Sequence, residues 1–434
     1  MLLVFAEKIT PRLSFISKLI FKGLLGVEFE FTSDKESYLA SDSPKLCYAK
    51  SSFDSGLFLQ ASHLLFESSI SDQNPKKTEY EGEFVFFQTG PRSDIPYDPL
   101  AASFYLISRY EEYLPFIADE HNRFPAKQSF AFKNGVLQKP LVNIYAGHIE
   151  SLLKEKYPNL KFTKPSYKFI NTVDIDNAFA FKGKGLVRTL GGFGKDLIGF
   201  NIRESISRLR SVFGLNQDPF STFDYQQSLQ DKYNYKTIYF ALFGAISKYD
   251  RSLSLQSLRL HRHLKSINDF CDMGIHPSYR SNSDFKIAQE EHKSLEEVLN
   301  RTVTKSRQHF LKMRFPQTYR NLLDMDITDE YSMGYADEVG FRAGICSPFR
   351  FYDLEYEVET PLVVHPFSFM DGTFIYYQKK SKEEAWEDIS RMIAIHKKYN
   401  GQFIPIWHYR VFSEKNKEWQ GWNSVFEKMV SAAV

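Results

Sequence analysis

The sequence predicts an α/β protein in which a small α+β domain precedes a parallel sheet or barrel. Two observations support this fold class. Over residues 166–434, short apolar runs typical of strands alternate with helical patterns, and such alternation is typical of parallel sheets. Residues 1–165 instead mix short strand-like runs with one strong helical stretch. At 434 residues the chain also exceeds the size of one ordinary domain, so two domains are expected.

The first predicted domain contains one strong helical stretch, Pro99–Leu114. Asp98 is placed to cap its first turn, and proline is favoured at the first helical position. Two further runs of this domain favour strands: Val27–Phe31 and Glu83–Gln88. The segment Lys154–Tyr167 carries two prolines among polar residues. Because proline stops regular elements, we expect the domain boundary near residue 165.

The second predicted domain, residues 166–434, carries the alternation of strands and helices. Five apolar runs favour strands: Lys168–Val173, Tyr235–Phe243, Met273–His276, Leu362–His365 and Phe403–His408. Two periodic stretches favour helices: Ser254–Cys271 and Ser283–Thr302. The glycine-rich run 191–194 lacks the order of strand, lysine and helix that defines a phosphate-binding loop, so a flexible loop is expected there.

Composition excludes several classes of function. Lys and Arg total 55 against 53 acidic residues, and this balance gives no electrostatic footprint for nucleic acid or an anionic membrane. The three cysteines are widely separated, so neither a disulfide framework nor a cysteine-based zinc site is expected. Basic residues interrupt the apolar runs near the N-terminus. We therefore expect no membrane span and a cytoplasmic protein.

Polar side chains stand at the ends of three predicted strands. Asp174 and Asp176 come after the strand that ends at Val173, while His276 and His408 end two others. In such folds the carboxyl ends of the strands line the pocket. Two carboxylates this close in sequence call for a cation between them or a shared proton, and zinc accepts both carboxylate and imidazole ligands. The alternative is that this Asp-x-Asp sequence is only a turn or a helix cap.

The region of the two aspartates reads NTVDIDNA. It resembles the first motif of the polysaccharide deacetylases, also called NodB-homology or carbohydrate esterase family 4 proteins. The resemblance implies that Asp174 is the catalytic base and that Asp176 binds the metal ion. A later segment, GIHPSYRS, resembles the second motif and implies that His276 is a ligand. Arg280 stands where this motif has a second histidine, and a guanidinium cannot bind a metal ion.

Two further segments extend the resemblance. Residues 306–316 read SRQHFLKMRFP and resemble the strand of the third motif, which implies that Arg307 orients the base. His309 lies two residues on, hence on the same face of a strand. It could supply the missing ligand or simply pack inside the barrel. Residues 403–413 read FIPIWHYRVFS and resemble the last motif, which implies that His408 is the general acid.

The resemblance spans residues 166–434. It implies a distorted (β/α) barrel, a divalent metal ion with zinc as the expected one, and a hydrolase acting on carbon–nitrogen bonds other than peptide bonds. The implied substrate is an N-acetylated carbohydrate, either a polysaccharide or a sugar precursor. The segments MGYADEVGFRAG and YDPLAASFYLISRYEEYL resemble a bacterial subgroup whose N-terminal domain has no known function.

Four residues are candidates for contacting the substrate: Tyr279, Arg280, Arg342 and His365. Arg342 belongs to a glycine-rich segment that could equally only shape the rim of the barrel. His365 ends an apolar strand, although the following proline favours a turn. Two alternative functions stay open. One is a barrel that has lost metal chemistry through Arg280 and binds a glycan or a partner protein; the other is a hydrolase of a different C–N bond in a nucleotide-linked sugar.

Overall fold

A computed structural model gives the fold of the chain. It describes residues 1–53, 56–184, 190–191, 194 and 202–434. The glycine-rich run 191–194, for which a loop is predicted, lies partly outside the described residues. The protein is an α/β structure with two main sheets, one of four strands and one of nine. No helix of the described residues combines the length and the apolar character that crossing a bilayer would need.

The N-terminal part of the chain forms a four-stranded sheet and a separate hairpin. Its strands are β1 (Leu2–Ala6), β2 (Phe29–Thr32), β3 (Lys45–Ala49), β4 (Leu57–Gln60) and the antiparallel pair β5 (Lys77–Tyr80) and β6 (Glu83–Phe86). Its helices are α1 (Pro11–Ser17), α2 (Lys35–Ala40), α3 (Pro99–Ile107), α4 (Phe130–Lys133) and α5 (Leu141–Lys156). Shorter helical turns cover Lys18–Leu24, Leu64–Phe66, Tyr110–Tyr113 and Ala126–Gln128.

The four strands run in the order β2-β1-β3-β4, and each neighbouring pair is parallel. The sequence predicts an α+β unit here, and the parallel sheet corrects that expectation. The reason is that α1 joins β1 to β2 and α2 joins β2 to β3, so these connections are crossovers between parallel strands.

The predicted helix at residues 99–114 begins as expected, since Asp98 accepts hydrogen bonds from the backbone N–H groups of Leu100 and Ala101. It ends earlier, at Ile107, because Arg109 adopts a left-handed backbone conformation with φ 53°.

The second sheet comprises β7 (Lys168–Ile175), β8 (Lys236–Leu242), β9 (Asp272–His276), β10 (Lys305–Ser306), β11 (Asp329–Glu330), β12 (Phe349–Asp353), β13 (Val358–Val364), β14 (Gln402–Phe403) and β15 (Ile406–His408). Its helices are α6 (Ile202–Val212), α7 (Phe223–Tyr233), α8 (Leu258–Asn268), α9 (Phe285–Leu299), α10 (Gln317–Leu323), α11 (Lys382–Lys398) and α12 (Trp422–Ala433). Short helical turns cover His309–Leu311, Thr373–Tyr377 and Tyr409–Phe412.

The strand order is β12-β13-β11-β10-β9-β8-β7-β14, and β15 also pairs with β7. The pairs are parallel except for the β12–β13 hairpin, so the sheet is mixed. Met370, beyond the end of β13, forms an isolated parallel bridge with Ile406 in β15. The sheet therefore curls into a half-barrel. The predicted alternation of strands and helices is confirmed, although the sheet is mixed and, over the described residues, does not form a closed barrel.

The third-motif segment departs from the strand that the sequence predicts. The strand ends at Ser306, because the backbone N–H of Gln308 donates to Ser332 Oγ instead of to a neighbouring strand. Residues His309–Leu311 then form a tight helical turn in which Phe310 has φ 60° and Leu311 has φ 53°. The expectation that His309 shares a strand face with Arg307 is therefore wrong.

A buried ionic network joins the N-terminal part to the half-barrel. Glu112 pairs with Arg109 (Nε to Oε1, 2.8 Å) and with Arg342 (Nη2 to Oε2, 2.6 Å). All three residues are buried. Burial opposes ionisation of Glu112, yet the two guanidinium groups outweigh it and hold the pKa of this carboxyl below its usual range. Glu111 also pairs with Arg109 at 2.9 Å, so the contact depends on two arginines and two glutamates whose charges balance.

We expect Glu112→Gln to lower the free energy of unfolding by about 3–5 kcal/mol, because it leaves the buried guanidinium of Arg342 without a counter-charge and removes one of the two carboxylates that pair with Arg109. Urea unfolding followed by circular dichroism measures the effect. Glu387→Gln, on the exposed side of α11, is the matched control and should change little. Equal unfolding midpoints for the two variants would show that the network does not stabilise the fold.

Candidate metal centre and active site

The register of the half-barrel brings the polar strand ends together. In the pairing of β7 with β15, Asp174 and His408 are direct partners. In the pairing of β8 with β9, Leu242 is the partner of His276, and β8 in turn lies beside β7. Because these strands are parallel, their carboxyl ends open on one edge of the sheet. Residues that lie far apart in the sequence therefore meet around Asp176, just beyond the end of β7.

Three imidazole rings face the Asp176 carboxylate. The Nε2 atoms of His276 and His309 lie 3.5 and 3.8 Å from its Oδ1, and the Nε2 of His408 lies 3.8 Å from its Oδ2. The ligand atoms of Asp176, His276 and His309 all lie within 4.8 Å of one another. This group of two imidazoles and one carboxylate could hold a metal ion.

Each of these imidazoles is oriented through its Nδ1 atom. The Nδ1–H of His276 donates to the carbonyl oxygen of Arg307 (2.5 Å), because a carbonyl can only accept. The Nδ1 atoms of His309 and His408 lie 2.9 and 2.6 Å from the carboxylates of Asp250 and Asp371. Both aspartates are buried. Such outer partners fix the tautomer that leaves the Nε2 lone pair free for a ligand bond.

Asp176 Oδ1 provides the test of whether a cation fits. This oxygen is buried and has no hydrogen-bond partner, although a buried carboxylate oxygen ordinarily has one. A divalent cation bound to Asp176, His276 and His309 would satisfy it with one oxygen and two nitrogen ligands. This donor set suits zinc and other borderline divalent ions. The residues present therefore fit a metal ion.

Asp176 Oδ2 is engaged by Arg410, whose Nη1 lies at 2.5 Å. Burial alone would raise the pKa of Asp176, but the charges of His408 and Arg410 outweigh it and hold the pKa well below its ordinary value. The carboxyl group therefore stays ionised at neutral pH. Arg410 adds positive charge on one side of this carboxylate and leaves Oδ1 on the other side free.

Asp174 is held beside this group by Arg307. The Nη1 of Arg307 donates to Asp174 Oδ1 at 2.8 Å, and its Nε donates to the carbonyl of Tyr331 at 3.0 Å. Both side chains are buried. The other carboxylate oxygen, Oδ2, lies 3.8 Å from His276 Nε2. Asp174 therefore presents one oxygen toward the histidines and keeps the other bound to a fixed cation.

His408 lies on the other side of Asp176 and is held by Asp371 at two points. The backbone N–H of His408 donates to Asp371 Oδ2 at 2.7 Å, and the ring Nδ1–H donates to Oδ1 at 2.6 Å. Burial alone would lower the pKa of His408, but the charges of Asp371 and Asp176 outweigh it and raise the pKa. The protonated form of the ring, which can donate a proton from Nε2, is thereby favoured.

The histidines and aspartates open on a cavity of about 490 Å³, a size within the usual range for small-molecule sites. Aromatic side chains contribute much of its wall: Phe220, Tyr249, Phe310, Tyr376, Tyr377 and Trp419. Flat aromatic rings can stack on the faces of sugar rings. The cavity thus combines a cluster of titratable groups with surfaces that suit a carbohydrate.

Two of the predicted substrate residues do not line the cavity, although they lie near it. Arg280 is exposed on a turn beyond β9 and does not take the place of a ligand. Tyr279 stacks against Tyr249, with ring centroids 4.3 Å apart, and so supports a wall residue from behind. His309 instead lies with Asp176 and His276 in the group that could hold a metal ion, and it belongs to the turn beyond β10.

Arg342 and His365 lie away from the cavity wall, and each has its polar atoms engaged by other residues. Arg342 belongs to the buried network with Glu112. The two ring nitrogens of His365 bond to Asp329 (2.7 Å) and Gln402 (3.0 Å), and its ring stacks on Tyr331. Neither residue lines the cavity.

Three polar residues that bond to Asp176 or to its histidines were not singled out from the sequence: Asp250, Asp371 and Arg410. Arg410 stands only two residues after His408, and Asp371 follows the Met370 bridge to β15. A rule that includes residues just past each strand end would have found Arg410 but not Asp371, which lies seven residues beyond the end of β13. Asp250 lies in an ordinary polar loop after β8, where only the three-dimensional contact with His309 reveals its role.

Comparison with known proteins gives a family match for the N-terminal part alone. A family of unknown function, DUF7033, matches residues 2–158. No curated protein matches the chain.

Several solved structures resemble the chain at low sequence identity. A putative polysaccharide deacetylase from Mycobacterium smegmatis is 11% identical with a TM-score of 0.40, covering 63% of this chain and 85% of that one. Puue allantoinase is 9% identical with a TM-score of 0.37, covering 61% and 84%. A probable polysaccharide deacetylase from Pseudomonas aeruginosa PAO1 is also 9% identical with a TM-score of 0.37, covering 60% and 84%.

We expect Asp250→Asn to weaken zinc binding by about 10–100-fold, because an amide oxygen accepts the His309 hydrogen bond without raising the basicity of the ring as a carboxylate does. Isothermal titration calorimetry of the chelator-treated protein measures the affinity. The control is Asp231→Asn, on the exposed side of α7, which should bind zinc as the unmodified chain does. An unchanged affinity in Asp250→Asn would refute an orienting role for Asp250.

Proposed function

We propose that the protein is a metal-dependent hydrolase that removes N-acetyl groups from a polysaccharide or a sugar precursor. The observation that carries the proposal is the arrangement around Asp176. Its unpartnered Oδ1 faces the Nε2 atoms of His276 and His309, with Asp174 and His408 on either side. The motif resemblance over residues 166–434 supports the same activity and assigns the half-barrel to the polysaccharide deacetylase type.

In the proposed site, Asp176, His276 and His309 hold a divalent metal ion, with zinc as the expected one. When bound, such an ion polarises a carbonyl group and lowers the pKa of a water molecule. The protein contributes fixed ligand directions, because the Nδ1 atoms of both histidines are held in place by Arg307 and Asp250. The acetyl group would enter from the cavity and rest against its aromatic wall.

Asp174 is the proposed general base. Its Oδ1 stays bound to Arg307, so Oδ2 is the oxygen that accepts the proton of the attacking water. A carboxylate that is bonded to a fixed guanidinium keeps its position when it becomes protonated. A general base held in place in this way ordinarily raises the rate of the chemical step. The new C–O bond forms at the acetyl carbon as this proton leaves the water.

His408 is the proposed general acid. Its Nδ1 is bound to Asp371, so Nε2 is the atom that donates a proton to the departing nitrogen. The C–N bond then breaks and releases acetate and the free amine of the sugar. Asp174 takes one proton from water and His408 gives one proton to nitrogen. The reaction therefore needs no net proton from the protein.

A second candidate function is favoured by one specific contact. Arg410 lies 2.5 Å from Asp176 Oδ2, and a guanidinium neutralises a carboxylate much as a metal ion would. In this alternative the half-barrel is catalytically inactive and binds a glycan or a partner protein. Metal analysis separates the two functions, since no metal uptake at micromolar zinc would favour the binding module.

We expect the purified protein to release acetate from N-acetylated glycans or sugar precursors, and Asp174→Asn to lower the rate by about 10²–10⁴-fold because the proton acceptor is lost. An enzyme-coupled acetate assay gives the rate. Zinc affinity should be retained in this variant, which excludes loss of the metal as the cause. The exposed variant Asp231→Asn serves as control, and full activity of Asp174→Asn would refute the base assignment.

A further inference from the structure

We infer that the cavity takes a substrate carrying an anionic group, a carboxylate or a phosphate, and that Arg123 and Arg251 bind it. The inference rests on the proposed function for the reaction. It adds that the N-acetylated substrate carries a negative charge. Arg123 belongs to the N-terminal part of the chain, whereas Arg251 follows β8 in the half-barrel; both line the cavity. The N-terminal part would thereby contribute one of the two residues that bind the anionic group.

Arg123 reaches the cavity from a tightly bonded turn. Its Nε donates to Asp119 Oδ2 at 2.7 Å, and its Nη1 donates to the carbonyl oxygen of Phe310 at 2.8 Å. The backbone N–H groups of His121 and Arg123 both donate to Asp119 Oδ1. These bonds fix the guanidinium before any ligand arrives, and a preorganised cation loses little entropy on binding.

The same turn is docked on the aromatic wall of the half-barrel. His121 lies edge-on to Phe310, with ring centroids 4.8 Å apart, and to Tyr249 at 5.8 Å. Its Nδ1 lies 3.3 Å from the hydroxyl oxygen of Tyr279. The N-terminal part therefore forms a section of the cavity wall, next to the turn that carries His309.

Arg251 supplies a second cation with a different setting. It is exposed at the edge of the cavity, two residues beyond Tyr249. Among the described residues, no carboxylate lies within ion-pair distance of it. Its charge is therefore available to a ligand.

The carboxylates that line the cavity do not neutralise these two arginines. The two carboxylates that line the cavity are already engaged, Asp174 by Arg307 and Asp176 by Arg410. Asp119, the Phe310 carbonyl and Tyr377 engage part of the Arg123 guanidinium, but arginine has five N–H donors, so others remain for a ligand. A neutral sugar has no negative charge to pair with the guanidinium of Arg251. A carboxylate or phosphate matches it, because guanidinium groups bind both in planar pairs.

The test compares Arg251→Gln with Arg251→Lys on paired substrates, one N-acetylated sugar bearing a carboxylate or phosphate and its neutral counterpart. We expect Arg251→Gln to raise KM for the anionic substrate about tenfold or more, since bonds between charged groups are the stronger ones, and to leave its KM for the neutral one unchanged. Arg251→Lys should recover part of the loss. Unchanged kcat and zinc affinity would show that the reacting groups are intact. Equal KM values for the two substrates in the unmodified chain would overturn the inference.

A binding measurement separates this inference from the proposed reaction. The full-length, chelator-treated protein is titrated with glucuronate and, separately, with inorganic phosphate, and heat of binding is recorded for the unmodified chain and Arg251→Gln. We expect one of the anions to bind, and its affinity to fall about tenfold or more in the variant. Binding without acetate release from any substrate would leave the anion site standing while the deacetylase proposal fails. No binding of either anion, or equal binding by the variant, would refute the anion site.

Discussion

The site depends on one physical constraint: a carboxylate that is largely shielded from solvent beyond the end of β7 must be neutralised by neighbouring charged groups. Asp176 meets this constraint with three imidazoles and one guanidinium arranged around its two oxygens. A buried charge without such partners would cost several kcal/mol, by the usual order of magnitude. The strand register follows from the same need, since it places His408 beside Asp174 and brings His276 from the next strand but one.

The N-terminal part and the half-barrel are coupled through the same region of the structure. Phe310 and Leu311 hold left-handed backbone angles immediately after His309, a conformation that non-glycine residues adopt only when their surroundings enforce it. Arg123 bonds to the carbonyl of Phe310, and His121 packs on its ring. The N-terminal turn thus contacts the residue that directly follows His309 and helps to fix the turn that carries this histidine. The buried ion pair of Glu112 with Arg342 is a second contact between the N-terminal part and the half-barrel.

Sequence reasoning located the elements whose signal is local. Strands β7, β8 and β9 are short and mainly apolar, so they and the polar residues Asp174, Asp176 and His276 near their ends could be placed from the local pattern. The two-residue strands β10, β11 and β14 could not, because their pairing is set by neighbours far away in the chain. The run at β1 is apolar without a period, which cannot distinguish a strand from a buried helix. His309 was proposed for the wrong reason, since its position comes from a turn and not from a strand face.

Arg410 and a metal ion would contact different oxygen atoms of the Asp176 carboxylate, so they would not compete for it. The guanidinium occupies Oδ2, and His276 and His309 face Oδ1, which has no hydrogen-bond partner. If Arg410 were the only cation at this carboxylate, Oδ1 would stay without a hydrogen-bond partner although the Nε2 atoms of two imidazoles face it. Those rings are held in that direction by Arg307 and Asp250 at their Nδ1 atoms. The arrangement therefore favours a cation on the Oδ1 side, with Arg410 keeping the carboxylate ionised and aligned from the other.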